Sequence, residues 1–267
     1  MRYTICDPTG NITALVEDEV EVSCQPAVAS EIMALNPQVE QVGFVRLDAG
    51  VTGESEQPVV LRMAGGEFCG NATMASAALF AARAGIERGS VWVRVCGTQG
   101  LLEVRLHAQG SSSFEGSVCM PPSRGIDVAT LSFDELSGKL PVVSLEGISH
   151  IIIEPGSCFA TLRDDRPKAE AAIRAWCSEL GADGLGLMFV EGNGSSCRLT
   201  PLVYIPGADT TFWENSCASG SAATGMYRCW QAGMPVTLEL EEPGGILRVE
   251  SDLQQGQTWL SGRVRIL

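Results

Sequence analysis

Cys69 and Cys217 stand in segments that read as copies of one another, GGEFCGNATMASAALFAARAG and FWENSCASGSAATGMYRCWQAG. Small residues follow each thiol, then an alanine-rich run that closes on Ala-Gly. Sixteen positions separate Cys69 from Gly85, and sixteen separate Cys217 from Gly233. A thiol ahead of a helix is shifted toward thiolate by the positive end of the helix dipole. The unpaired amides of the first turn can hold a carboxylate, and residues as small as Gly70, Ala218 and Gly220 let a ligand approach that backbone. One cysteine of this kind is better read as a small residue packed at a strand-to-helix turn. Two at matched positions suggest a thiol on each side of one small substrate, so that a proton leaves one face of a carbon and returns to the other. The same amides would stabilise the enolate-like charge that develops meanwhile.

Other side chains near these loops are candidates by chemistry. Glu67 and Glu214 lie two and three positions before their cysteines and could accept hydrogen bonds from a substrate ammonium or from loop amides; a solvated acid is an equally good reading. His107 and His150 are the histidines of the chain. His107 follows an alternating strand and reads as surface. His150 precedes Ile151-Ile152-Ile153 and reads as a core histidine that could orient part of a site. Asn11 could cap the turn after Gly10, and Gln41 opens a strand.

The elements that must carry these residues repeat as well. Val91–Val104 and Val236–Val249 each read as an alternating strand, a glycine turn and a second strand. Gly43–Leu47 has a weaker counterpart in Gly186–Val190, and Ile12–Val16 a thin one in Ile151–Ile153. A helix is expected over Ala27–Leu35, stopped before Pro37, and another from about Pro167 to Leu180. Strands are expected at Tyr3–Ile5, Gln41–Leu47, Val59–Met63, Phe114–Cys119 and Leu199–Ile205. Pro121-Pro122 marks a linker. The expected domains are 1–118 and 119–257, with a terminal strand over 258–267 that could return to the first.

With 267 residues, 45% of them hydrophobic, the chain can bury a large core or two ordinary ones. A formal net charge of −14 argues against nucleic acid and anionic membrane surfaces as partners. A bound carboxylate must therefore be held by local dipoles rather than by the overall field. No apolar stretch suggests a membrane span or a signal peptide. The ten cysteines include no CxxC pair, so zinc is not expected, and thiols other than Cys69 and Cys217 read as small buried or incidental groups in a reducing cytoplasm.

Through Cys69-Gly70-Asn71 and Cys217-Ala218-Ser219-Gly220 the whole chain resembles the diaminopimelate epimerase and proline racemase superfamily. The resemblance implies an α+β fold of two pseudo-repeated domains, each a curved β-sheet around a central helix. It implies one cysteine acting as thiolate base and the other as thiol acid, with no pyridoxal phosphate or metal, and a homodimer. Asn11, Gln41, Gly70, Asn71, Ser219 and Gly220 match the reacting-end contacts. PTGNITALV, EQVGFV, GEFCGNATM, LTPLVYIP, WENSC and EPGGI are most similar to the histidine racemases of staphylopine-type metallophore biosynthesis. Two departures from diaminopimelate epimerases agree with that: Tyr204 is followed by Ile205-Pro206 where those enzymes carry Glu-Arg, and Ile148-Ser149-His150 replaces Asn-Pro-His. Ala218 stands where the superfamily usually has glycine. The expected activity is a cofactor-independent amino-acid racemase acting on histidine. A racemase of another amino acid, of diaminopimelate or hydroxyproline type, and a non-catalytic amino-acid-binding or thiol-sensing protein are the alternatives.

Overall fold

The computed structural model describes residues 1–47 and 58–267, which divide into two compact units. Met1–Cys119 with Leu260–Leu267 form the first and Met120–Trp259 the second.

The first unit contains β1 (Tyr3–Pro8), β2 (Thr13–Val16), α1 (Gln25–Leu35), β3 (Gln41–Arg46), β4 (Val59–Met63), α2 (Gly70–Ala84), β5 (Arg88–Val95), β6 (Leu102–Gly110) and β7 (Ser113–Cys119). From the far end of the chain, β16 (Gln257–Ile266) enters it. The strands follow the order β1-β2-β3-β4-β5-β6-β7-β16, and β16 pairs antiparallel with β1, Cys6 opposite Ile266, so the sheet closes into an eight-stranded barrel. Closure leaves no free edge in this unit's ring. Helix α2 fills it, packed on β1, β2 and β4 to β7. Gly70 through Ala81 are all buried, which the run of alanines permits because short side chains let the sheet approach from every direction. Helix α1 lies outside, its Ala29 and Ile32 covering Ala14, Val16, Val42 and Phe44. That helix begins at Gln25, two residues before the expected start. Pro26 sits in its first turn, where the missing amide costs nothing and the fixed φ is already helical.

The second unit contains β8 (Gly125–Phe133), β9 (Leu136–Ser144), β10 (Ser149–Ile153), α3 (Arg166–Leu180), β11 (Leu185–Glu191), β12 (Ser196–Ile205), β13 (Thr210–Trp213), α4 (Ala218–Ala232), β14 (Val236–Glu242) and β15 (Gly245–Asp252). Its strand order is β8-β9-β10-β11-β12-β14-β15, with β13 paired to β12. Helix α4 packs on β9, β10, β11, β14 and β15. Helix α3 buries Ala169, Ile173 and Trp176 against Leu185, Leu187 and Phe159, and the Trp176 indole donates to the Ser132 carbonyl at 2.9 Å.

The internal repeat is visible in the register. β2 and β3 run parallel with Leu15 opposite Gly43, and β10 and β11 run parallel with His150 opposite Gly186. The β8–β9 hairpin and β13 have no place in the expected order. The hairpin turns at Asp134, whose φ of 51° is one that Asp adopts more readily than most residues.

Candidate active site

Cys69 is the N-cap of α2. Its backbone is extended (φ −137°, ψ 114°) and its sulfur accepts from the Ala72 amide at 3.4 Å. The Cys69 carbonyl accepts from the Thr73 amide at 3.0 Å and the Thr73 hydroxyl at 2.7 Å, which ties the loop to the helix. The thiol donates to Gln41 Oε1 at 3.2 Å. Gln41 Nε2 donates in turn to Thr13 Oγ1 at 2.8 Å and to Asn11 Oδ1, and Asn11 Nδ2 donates to Glu40 Oε2 at 3.2 Å. Pairing of β2 with β3, Thr13 opposite Gln41, builds this line of amides. Asn11 and Asn71 are both buried.

Cys217 is the N-cap of α4, again extended (φ −120°, ψ 98°). Ser219 Oγ lies 3.7 Å from that sulfur and 3.0 Å from His150 Nε2. Burial pushes the Cys217 thiol well above its ordinary range; the charges of Glu214 and Glu242 and a hydrogen bond with Glu214 add to the shift, while the Gly220 amide opposes it. His150 is fully buried, which lowers its pKa to about 3 and keeps the ring neutral. Gly186 makes room for it, since a Cβ there would overlap the imidazole. A Cβ on Gly220 would run into the Met188 side chain and stand 3.2 Å from Cys217 Sγ.

The structure gathers Asn11, Gln41, Cys69, Gly70 and Asn71 at the head of α2 in the first unit. In the second it gathers His150, Glu214, Cys217, Ala218, Ser219 and Gly220 at the head of α4. Glu67 is exposed, and its carbonyl rather than its carboxylate takes part, accepting from the Cys96 thiol at 3.2 Å. His107 is exposed beside Arg88. Sequence reasoning missed Thr13 and Glu40, and above all Glu242. The Glu242 carboxyl is buried; it accepts from the Cys217 amide at 2.6 Å and from the Ser221 hydroxyl. An acid in place of the apolar residue that strand alternation favours at the end of β14 was the available signal.

The family model for the histidine racemase CntK N-terminal domain matches residues 1–267. A histidine racemase of Fusobacterium nucleatum subsp. nucleatum is 29% identical over 270 residues, covering 98% of this chain and 92% of that protein. One from Staphylococcus aureus is 29% identical over 269 residues, covering 99% and 94%. Among solved structures, a probable proline racemase from Agrobacterium radiobacter superposes with a TM-score of 0.69 at 11% identity, covering 99% of this chain and 90% of that one. That likeness is one of fold.

Proposed function

The chain belongs to the histidine racemase CntK N-terminal domain family and is an amino-acid racemase; from that premise we propose that it inverts free histidine at Cα by proton transfer through Cys69 and Cys217. One sulfur, as thiolate, takes the α-proton; the other, as thiol, gives a proton to the opposite face of the carbanion. Substrate and product carry the same atoms and no electrons are exchanged. Cys217 waits as the thiol, since burial and two nearby acids oppose its ionisation. It is then the proton donor for the enantiomer whose α-hydrogen faces Cys69. The α-carboxylate is received by the first-turn amides around Gly70-Asn71 and Ser219-Gly220, and Asn11 and Gln41 hold the reacting end. The D-histidine formed is a building block for metallophore biosynthesis.

The observation that carries this reading is a cysteine as N-cap of the central helix in both units. The two relatives named histidine racemases, similar over nearly the whole chain, support the substrate. The test is a panel of free L-amino acids followed by optical rotation and by deuterium uptake at Cα in heavy water. Histidine should racemise and its inverted product should carry deuterium. Turnover of another amino acid with histidine untouched rejects the substrate, and inversion without solvent isotope rejects the proton transfer. Cys69→Ala and Cys217→Ala should each lower kcat by about three orders of magnitude or more while ligand binding persists. Retained turnover in either variant would refute the two-cysteine mechanism.

A further inference from the structure

The two cysteine loops are held down in different ways. Gly97 lies in the β5–β6 turn, and Glu242 is the last residue of β14, at the β14–β15 turn. Gly97 (φ 75°) lies against the loop itself: a Cβ there would overlap the backbone of Glu67 and Phe68, immediately before Cys69. The neighbouring Cys96 thiol donates to the Glu67 carbonyl at 3.2 Å and accepts from the Met63 amide at 3.2 Å. In the second unit Glu242 reaches the matching loop with a carboxyl group. It takes the Cys217 amide and the Ser221 hydroxyl, on the first turn of α4. At the head of α2, Cys69 Sγ accepts from the Ala72 amide at 3.4 Å; at the head of α4, a hydrogen bond from the Gly220 amide favours the Cys217 thiolate against the burial and the two acids that oppose it. A buried carboxyl supplied from β14 thus holds the Cys217 amide and the first turn of α4.

We propose that Glu242 is the positioning residue of Cys217, fixing the loop that carries the thiol through the Cys217 amide and the Ser221 hydroxyl and setting by its charge how readily that thiol ionises. The proposal rests on the racemase reading for its consequence in catalysis, and on the hydrogen bonds alone for the link to Cys217. Glu214, from the loop before α4, is the other acid facing both groups. As a neutral acid Glu242 can donate to Ser221 Oγ while its other oxygen accepts from the amide, and glutamine reproduces that pattern. Ionised, it repels the Cys217 thiolate.

The experiment is site-resolved alkylation with iodoacetamide, quantified by mass spectrometry against pH, with Cys69 in the same chain as the internal reference. Glu242→Ala should change the Cys217 rate by about fivefold or more and lower kcat at least about tenfold, with the Cys69 rate within about twofold of wild type. Glu242→Gln should restore most of kcat and move the alkaline limb of the Cys217 profile to lower pH. Ser221→Ala, which removes a hydrogen bond that favours the ionised carboxyl, should move the same limb the same way by less, and reads the link if Glu242→Ala fails to fold by circular dichroism. Unchanged Cys217 profiles in the Gln and Ser221 variants overturn the proposal. So does a folded Glu242→Ala in which Cys69 and Cys217 change together. Alkylation needs no turnover, so an active Cys217→Ala enzyme would remove the two-cysteine mechanism while leaving the Glu242 link to be judged on these rates.

Discussion

At the scale of single residues, two buried titratable groups oppose each other in pH. Burial lowers His150 from 6.5 to about 3 and raises Glu242 from 4.5 to about 8, with hydrogen bonds from Ser221 and the Cys217 amide offsetting part of the latter. For His150 the folded value is depressed, so stability is present above pH 6.5 and is lost as pH falls toward 3. For Glu242 the folded value is raised, so stability is present below pH 4.5 and is lost as pH rises through 8. Between 4.5 and 6.5 the two slopes cancel. From 6.5 to 8 Glu242 acts alone, and one proton over that window is worth about 2 kcal/mol. Thermal melts of wild type and Glu242→Gln should therefore diverge by roughly that amount between pH 6.5 and 8, the glutamine variant gaining. Parallel melting curves would mean that the carboxyl does not titrate in this range. The same neutral His150 is a poor proton acceptor near neutrality, which leaves it a partner for Ser219 rather than a base.

At the scale of elements, glycines at two kinds of position predict different losses. Gly85 and Gly233 close α2 and α4 in the left-handed conformation, with open space where a Cβ would stand. Alanine at either should cost only about 1 kcal/mol, read by denaturant titration, with racemase activity kept. Gly97 is also left-handed, but its Cβ would overlap the backbone ahead of Cys69. Gly97→Ala should cost about 1–3 kcal/mol and lower kcat as the Cys69 loop is pushed aside. Equal kcat in Gly97→Ala and Gly85→Ala would show that the hairpin turn has no hold on the cysteine loop. The helices themselves follow from composition: alanine-rich runs capped by glycine can be surrounded, and α2 is.

At the scale of the whole molecule, the chain leaves the first unit at Cys119 and returns to it at Leu260. The returning strand completes the barrel. Cys6, Asp7 and Pro8 of β1 pair with Ile266, Arg265 and Val264, the Thr9 amide donates to the Arg263 carbonyl at 2.9 Å, and Arg265 meets the buried Asp7. Removing Leu260–Leu267 should leave β1 and β7 as open edges and abolish cooperative unfolding of the first unit, seen as loss of its thermal transition. A truncated chain that melts like the full one would show that the barrel does not depend on its last strand. Among the described residues no helix is long and apolar enough to cross a membrane.

The paired cysteines, the helices they head and the β5–β6 and β14–β15 hairpins were legible in the sequence, because a repeat sets matched residues at matched distances along the chain, and the amino-acid racemase activity came with the family resemblance. The α+β class and the curved sheets around central helices came with the family resemblance. The β8–β9 hairpin was not legible, although β9 stands to β10 and β11 as β1 stands to β2 and β3. Nor was the hydrogen-bonded line from Cys69 through Gln41 to Asn11, which needs the parallel register of β2 with β3. Glu242 lies 25 positions beyond Cys217 and beyond α4. Sequence spacing carries local turns and helix ends, whose geometry is decided within a few residues. Which distant acid comes to rest beneath the Cys217 amide is decided by how β14 packs on α4, and only the folded chain contains that information.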